Sequence, residues 1–389
     1  RLFGLQKPKE KEVWSTEVTE EDLKNAIEDE FGVKYSKDWK RLLKAPTDLD
    51  GVYSIRKGVK VIANDAFRLC EFLSNINIPK GITSIGNGAF SDCKSLTSIN
   101  IPDSVTSIGV SAFESCESLT NINISDTVTS IGDWAFNACE SLTNINIPDS
   151  ITSIEDYVFS ECISLKSINI PDSVTSIGKG AFRGCESLTS IIIPNGVTSI
   201  GNWAFNACEC LTSIIIPDSV TSIGAAAFAS CDSLTSINIP DGVTSIENDV
   251  FSDCLNLKSI NIPESVTSIG TGAFFRCWTL RNISIPDSMT SIGEGAFCNC
   301  ISLASINIPN NVAKIESGMF WNCNSLTSIK IPDSVTTIGR GAFVNCTSLT
   351  SINIPDGVTS IGERTFEGCD SLPSLVKSDI IQRFGKNVF

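Results

Sequence analysis

Residues 90–113 read FSDCKSLTSINIPDSVTSIGVSAF, and the same pattern returns every 23 residues through most of the chain. Its apolar places, counted from Cys93, are Leu96, Ile99, Ile101, Val105, Ile108, Ala112 and Phe113. The period is marked by fourteen cysteines: Cys70, Cys93, Cys116, Cys139, Cys162, Cys185, Cys208, Cys231, Cys254, Cys277, Cys300, Cys323, Cys346 and Cys369. A fixed period of this length predicts a repeat architecture rather than several globular domains.

Each repeat is predicted to form one coil of a spiral with two short strands. The run from Leu96 to Ile101 alternates like a strand with one buried face, and Pro102 ends it because proline has no N–H to donate. The run V-T-S-I that ends at Ile108 predicts a second strand, followed by Gly109 and a turn. Burying about eight side chains gains about 16 kcal/mol, whereas ordering one 23-residue backbone costs at least about 20 kcal/mol. A lone coil should therefore not fold without stacked neighbours.

The successive motifs L-x-x-I-x-I-P, V-T-S-I-G, A-F and C resemble the BspA-like leucine-rich repeats of bacterial and some protist surface proteins. The resemblance extends from Val52 to about Leu372, and its local departures are Ser125 for Pro, Met289 for Val, and Val158, Val250, Met319 and Thr365 for Ala. It implies a β-rich repeat solenoid: a right-handed leucine-rich-repeat coil with a parallel strand ladder. Adhesion to host proteins or to other cells is the role that it implies.

The two ends have different compositions and predict caps. We expect a charged N-terminal tail and cap over residues 1–50, leucine-rich repeats over 51–372 and a C-terminal cap over 373–389. Thr19 and Asp22 are spaced as a capping box, and Leu23, Ile27 and Phe31 share one face of a helix that Gly32 would end. Residues 33–35 and 41–43 predict a hairpin, and residues 377–384 predict a second helix, which Gly385 follows.

The overall charge of −15 makes nucleic acid and bare anionic membranes poor partners. There is no histidine, so the commonest general base and metal ligand is missing, and there is no apolar run long enough for a membrane-spanning helix. Because the chain begins at Arg1, we expect that a signal peptide has been removed and that the protein is extracellular or at the cell surface.

The features that resemble chemical motifs recur with the repeat. The cysteines form no C-x-x-C pair, so we interpret the ladder thiols as small buried hydrophobes and expect no metal site; Cys210 and Cys298 lie off the ladder and are candidates for exposed, reactive thiols. The G-x-G pairs, such as Gly339 and Gly341, lack a following G-K-[ST] and are interpreted as turns, and we expect no cofactor. An aspartate column could attract calcium, although solvent-exposed turn residues are the favoured interpretation: Asp103, Asp126, Asp149, Asp172, Asp218, Asp241, Asp287, Asp333 and Asp356.

The candidates for partner binding are unusual residues at surface positions of the repeat that are polar in most other coils. Ile192 and Ile215 replace the asparagine that most coils place between the two inward isoleucines. Most coils have charged or small polar residues at the positions flanking the ladder cysteine. Six residues at these positions differ, and we expect them to form one patch: Leu255, Phe275, Trp278, Cys298, Ile301 and Trp321. A third group, Trp134, Tyr157 and Trp203, is interpreted as shielding a turn.

These observations favour a secreted or cell-surface protein that binds a protein or glycoprotein ligand on a host or neighbouring cell, rather than an enzyme. Weak self-association is an alternative use of the patch. An intracellular or periplasmic structural scaffold is the second hypothesis, since many reduced cysteines are typical of a reducing compartment. An enzyme that uses carboxylates is a distant third, because a solenoid faced with Asn and Ser offers no obvious cleft.

Overall fold

Two short runs form strands in most coils because β-branched residues alternate there with small polar ones; in two consecutive coils the first run forms only isolated bridges, at Asn146 and Asn169. The computed structural model describes residues 14–389; the remainder of the predicted charged tail, residues 1–13, lies outside this range. The strands at or after the leucine that recurs in each coil, which we call series A, are Gly51–Ser54, Leu73–Asn77, Ser98–Asn100, Asn121–Asn123, Ser190–Ile192, Ser213–Ile215, Ser236–Asn238, Ser259–Asn261, Asn282–Ile283, Ser305–Ile306, Ser328–Lys330 and Ser351–Asn353.

The second strand of each coil, which we call series B, comes after the Pro-containing turn. Its members are Val61–Ile62, Ser84–Ile85, Ser107–Ile108, Ser130–Ile131, Ser153–Ile154, Ser176–Ile177, Ser199–Ile200, Ser222–Ile223, Ser245–Ile246, Ser268–Ile269, Ser291–Ile292, Lys314–Ile315, Thr337–Ile338 and Ser360–Ile361. Both series pair in parallel and in phase with the repeat, as in Ile99 with Ile122 and Ile108 with Ile131. The predicted β-solenoid with parallel strand ladders is confirmed, with strands shorter than the apolar runs.

The core is a continuous column of stacked rings along the solenoid. From Phe67 to Phe366, one Phe from each coil stacks on the next with ring centroids 5.1–5.9 Å apart. The ladder cysteines are buried and free beside this column. Each thiol from Cys93 onward donates to the carbonyl of the Phe 26 residues before it; Cys93 Sγ, for example, lies 3.2 Å from the oxygen of Phe67. The interpretation of these thiols as buried small side chains is confirmed.

The N-terminal cap contains one short helix and three strands. Helix α1 spans Glu20–Lys24, and Thr19 and Asp22 form the predicted capping box. The prediction that this helix continues to Gly32 is wrong, because Ile27–Glu28 is a strand that pairs antiparallel with Lys34–Tyr35. The predicted hairpin is confirmed, since Lys34–Tyr35 pairs antiparallel with Arg41–Lys44. Arg41–Lys44 then pairs in parallel with Val61–Ile62, which joins the cap to series B.

The C-terminal cap contains helix α2, Ser374–Phe384, and a 3-10 turn, Lys386–Val388. The helix begins three residues before the predicted start at 377, because Pro373 takes the N-cap position. Arg383 fastens α2 to the last coil by donating to the carbonyl oxygens of Ile354 and Pro355, both at 2.9 Å. Phe389 lies one period after Phe366, and its ring continues the column at 5.5 Å with a tilt of 34°.

Candidate partner-binding surface

Each coil has two residues in the left-handed conformation in the turn before its cysteine, one on either side of its Phe. In the coil of Cys323 these are Gly318, with a φ of 61°, and Asn322, with a φ of 57°. The turns of neighbouring coils are joined by main-chain hydrogen bonds, such as that from Asn299 N to the oxygen of Trp321 at 2.7 Å. The residues two places before successive cysteines therefore form a column along one edge of the solenoid.

The six residues predicted to form a patch lie on this edge, and we call them the apolar edge surface. Trp278, Ile301 and Trp321 are exposed by 37%, 41% and 37%, respectively. The remaining three, Leu255, Phe275 and Cys298, are half-buried. Main-chain bonds tie the coils together here, including that from Arg276 N to the oxygen of Cys298 at 2.9 Å. The surface therefore presents three large apolar side chains above a half-buried apolar base.

A second exposed pair lies elsewhere, on the strands of series A. Ile192 and Ile215 are register partners on adjacent strands, and they are 80% and 82% exposed. A shallow groove of about 500 Å³ begins beside Ile215, and its lining includes the polar residues Asn238 and Asp241. This pair and the apolar edge surface lie on different parts of the coil, so the structure does not join them into one site.

The two off-ladder cysteines differ in exposure. Cys210 is exposed, whereas Cys298 is half-buried. Burial raises the pKa of the Cys298 thiol to about 11, which disfavours the reactive thiolate at neutral pH. The expectation that Cys298 is exposed is therefore wrong, and its place in the apolar edge surface is that of a small hydrophobe.

Nothing in the geometry supports the calcium interpretation of the aspartate column. Across residues 14–389, no three or more Asp, Glu, Cys or His side chains come together in a group that could hold a metal ion. Within the same residues, neither helix has the length and apolar character that spanning a membrane requires.

The repeats match a known family over nearly their whole length. The family described as BspA type leucine rich repeat region matches residues 53–166, 152–281 and 267–389. The chain belongs to this family. A solved structure of a leucine rich cell surface protein from Faecalibacterium prausnitzii is similar at 30% identity and a TM-score of 0.58, covering 93% of this chain and 98% of that one. A leucine-rich repeat protein from Bacteroides ovatus is 28% identical with a TM-score of 0.57, covering 93% and 96%. No curated protein matches the chain significantly.

This BspA-type repeat protein has a groove at one end of the apolar edge surface that we did not predict. The position five residues before the ladder cysteine is glycine in four consecutive coils, namely Gly272, Gly295, Gly318 and Gly341. Where the column of Trp321 continues into the next coil, it contains Val344, which is buried. The last two of these glycines, Gly318 and Gly341, lie in a groove of about 330 Å³ between Trp321 and Arg340. The other residues that line the groove are Ser317, Trp321, Arg340, Val344 and Arg364.

The sequence contained part of the signal for this groove. Val344 occupies the same repeat position as Phe275 and Trp321, but it is not aromatic and so does not stand out in the column. The glycine column is also visible in the sequence, but a turn is sufficient to explain it. The sequence therefore does not indicate that these glycines also leave the floor of the groove without side chains.

In the third aromatic group of the BspA-type coils, Trp134, Tyr157 and Trp203, the ring faces contact one another or Lys179. Trp134 and Tyr157 stack at 4.0 Å with 17° between their planes. The Nζ of Lys179 lies 5.6 Å from the ring of Tyr157 and 4.9 Å from that of Trp203, so a cation fills the gap between them. These contacts favour the interpretation that the group shields a turn.

Proposed function

We propose that this BspA-type repeat protein is a secreted or cell-surface binding protein that mediates protein–protein interaction or adhesion. The observation that carries the proposal is the apolar edge surface, which exposes Trp278, Ile301 and Trp321 on a solenoid whose strand surface is mostly Ser, Thr and Asn. Exposed apolar patches with aromatic anchors are typical of protein interfaces. The location is supported by the similar Faecalibacterium protein, which is described as a cell surface protein.

Binding fits the rest of the molecule better than catalysis does. The chain lacks histidine, and no carboxylate among residues 14–389 lines the groove at Trp321, where acid and base catalysis would need one. The repeated core fixes the backbone while leaving each surface column free to vary, which suits recognition. We therefore propose that the protein is not an enzyme and that its partner is a protein or glycoprotein.

The test replaces Phe275, Trp278 and Trp321 together by Ser in the full chain. Binding would be measured by biolayer interferometry against purified extracellular-matrix proteins and by a glycan array, across a salt titration, and solution mass would be measured by light scattering. We expect loss of at least about tenfold in affinity for any ligand that the parent chain binds, since aromatic anchors carry most of the energy of an interface.

A matched control replaces exposed apolar residues in the N-terminal coils, Phe72→Ser with Val110→Ser. This variant should bind as the parent chain does. If the triple variant keeps its spectrum of ligands, its affinities and its solution mass, the apolar edge surface is not the binding site and the proposal fails.

A further inference from the structure

The groove beside Trp321 has a floor made of main chain alone. Gly318 and Gly341 both adopt left-handed conformations, with φ of 61° and 62°. Trp321 reaches across the coil boundary, since a Cβ atom at Gly341 would lie 3.4 Å from Cε3 and Cζ3 of its ring. A side chain at Gly341 would therefore contact both Trp321 and Val344 and fill part of the groove.

The main-chain polar groups of this floor are already used. Gly318 N donates to the oxygen of Arg340 at 2.9 Å, and Gly341 N donates to the oxygen of Glu363 at 3.1 Å. The two glycine carbonyl oxygens accept from Trp321 N and Val344 N, at 3.0 and 3.2 Å. An occupant therefore cannot add itself as a further strand here, and it must bind through a side chain that packs on the ring of Trp321 and on Val344.

The opposite wall of the groove is positive in an otherwise acidic protein. Arg364 is held by two hydrogen bonds to Glu367. Arg340 is exposed, and no carboxylate of the described residues lies within 4.0 Å of it. The whole chain has 29 basic and 44 acidic residues, so an unpaired guanidinium beside an apolar groove is a local reversal of charge. A guanidinium in this position is suited to bind a carboxylate by donating two parallel hydrogen bonds to its oxygens.

The size of the groove limits what enters it. Pockets for cofactors and drug-sized ligands usually start at about 300 Å³, and this open groove is about 330 Å³. This volume is at the lower end of that range, and one large side chain can fill it.

We propose that the groove between Trp321 and Arg340 is the anchor pocket of the apolar edge surface, and that it receives a partner-protein segment in which a bulky apolar side chain adjoins an acidic residue. The apolar side chain packs between Trp321 and Val344, and the neighbouring carboxylate pairs with Arg340. This proposal rests on the proposed function, because it specifies the chemistry of the partner that the same surface would bind.

The experiment uses the full chain with 15N-labelled tryptophan indoles and three unlabelled peptides, Ac-GGFDGG-NH2, Ac-GGFNGG-NH2 and Ac-GGADGG-NH2. The indole resonance of Trp321 is identified with the variant Trp321→Phe. We expect this resonance to shift on titration with the Phe-Asp peptide, with half-saturation at a concentration at least about tenfold lower than for the other two peptides, since each lacks one of the two contacts.

The variant Arg340→Gln should remove most of the preference for Phe-Asp over Phe-Asn while leaving the spectrum of the other indoles unchanged. The control is Arg281→Gln, which removes another exposed arginine, one that forms no ion pair with any of residues 14–389 and lies immediately before a series A strand. It should keep the full preference.

The proposal is overturned if the Trp321 resonance does not move, if the Phe-Asp and Phe-Asn peptides bind equally, or if Arg340→Gln keeps the preference. Failure of the proposed function would look different, because the Phe275, Trp278 and Trp321 triple variant would then retain its matrix-protein ligands. A chain that loses those ligands in the triple variant but ignores the acidic peptide has a binding surface with another kind of anchor.

Discussion

The ladder cysteine satisfies two demands at one buried position. Its side chain is small enough to lie beside the ring column, and its S–H group donates to the carbonyl oxygen of the Phe in the preceding coil. That oxygen also accepts the amide of the cysteine in its own coil, as at Phe67, where Cys70 N lies at 3.0 Å and Cys93 Sγ at 3.2 Å. Alanine would lose the donor and serine would bring a more strongly hydrated group, so cysteine is the residue that fits both requirements.

We expect the ladder thiols to make the fold sensitive to alkali. Burial raises the pKa of Cys162 to about 12, whereas an unfolded thiol titrates near about 8.5. The stabilisation is therefore complete below the unfolded pKa and is lost as the pH rises toward the folded one. Urea unfolding from pH 7 to 10.5 should show a free energy that falls less steeply above pH 9 in Cys162→Ala than in the parent chain, by roughly 1.4 kcal/mol per pH unit.

The control for this prediction is Val158→Ala in the same coil, which opens a cavity without removing a titratable group. Its free energy should be lower at every pH while its slope above pH 9 equals that of the parent chain. Equal slopes in the parent chain and Cys162→Ala would show that this thiol does not remain protonated in the folded state.

Residue identity in the core could be predicted from the sequence because the period of 23 repeats every contact. Exposure of Trp278, Ile301, Trp321, Ile192 and Ile215 followed from their columns in the same way. The groove could not be predicted, because it depends on how Trp321 leans onto the next coil above Gly341. Side-chain direction between coils is not contained in the spacing of one coil.

At the scale of the coil, four steps of the solenoid differ from the others. Three coils carry Glu where most carry Gly, at Glu155, Glu247 and Glu316, and the same coils carry Val158, Val250 and Met319 in place of Ala. Their Phe rings lie 5.7, 5.9 and 5.7 Å from those of the preceding coil. In the coil of Thr365, the Phe ring also lies 5.7 Å from that of the preceding coil. The remaining distances between successive ring centroids from Phe67 to Phe343 are 5.1–5.6 Å. Larger residues at the Ala position therefore go with a wider step.

The usual glycine explains the coupling between these two positions. A Cβ atom at Gly201 would lie 2.6 Å from the carbonyl carbon of Gly178 and from the nitrogen of Lys179, so a side chain there forces the coils apart. The opened space is filled when the nearby Ala becomes Val or Met. We therefore expect the pairing of the two changes in three coils to reflect a packing requirement rather than independent drift.

We predict that Gly201→Glu and Ala204→Val compensate each other. Each alone should lower the free energy of unfolding by about 1–3 kcal/mol through overpacking. Together they should cost less than the sum, with a coupling of at least about 1 kcal/mol in a double-mutant cycle measured by urea unfolding. A control cycle with Gly132→Glu and Ala181→Val, from separate coils, should be additive. Additivity at Gly201 and Ala204 would contradict the packing explanation.

The errors in predicting elements came from contacts distant in sequence. Leu23, Ile27 and Phe31 have helical spacing, but Ile27 pairs with Tyr35 across a hairpin, and that pairing outweighs local periodicity. The role of Phe389 was visible as one more step of the period, yet it stands after a helix and so outside the repeat pattern.

At the scale of the whole molecule, the last coil depends on the chain that follows it. Phe366 N donates to the oxygen of Val388 at 2.7 Å, and Arg364 N donates to that of Asn387 at 2.8 Å. These bonds reproduce the links between ordinary coils, so the segment after α2 acts as a partial coil. Stability should therefore be graded along the solenoid, as in other repeat proteins.

We expect Phe389→Ala to loosen this end selectively. Amide hydrogen exchange of Arg364 and Phe366 should accelerate at least about tenfold, corresponding to about 1.4 kcal/mol, because the ring that covers Phe366 is removed. The amides of Phe182 and Cys185, several coils away, should keep their rates. Leu375→Ala, which removes an exposed side chain of α2, should change none of them; uniform acceleration throughout the solenoid would contradict a graded molecule.

The four wider steps also bear on how such a chain finds its native order. Coils with nearly identical cores can stack on a wrong neighbour at little cost, leaving one coil looped out and the rest in order. A coil with Glu247 and Val250 does not fit the narrow step that accepts Gly and Ala. Such coils raise the energy of arrangements in which a coil stacks on the wrong neighbour. The irregular repeats therefore help to select a single folded register.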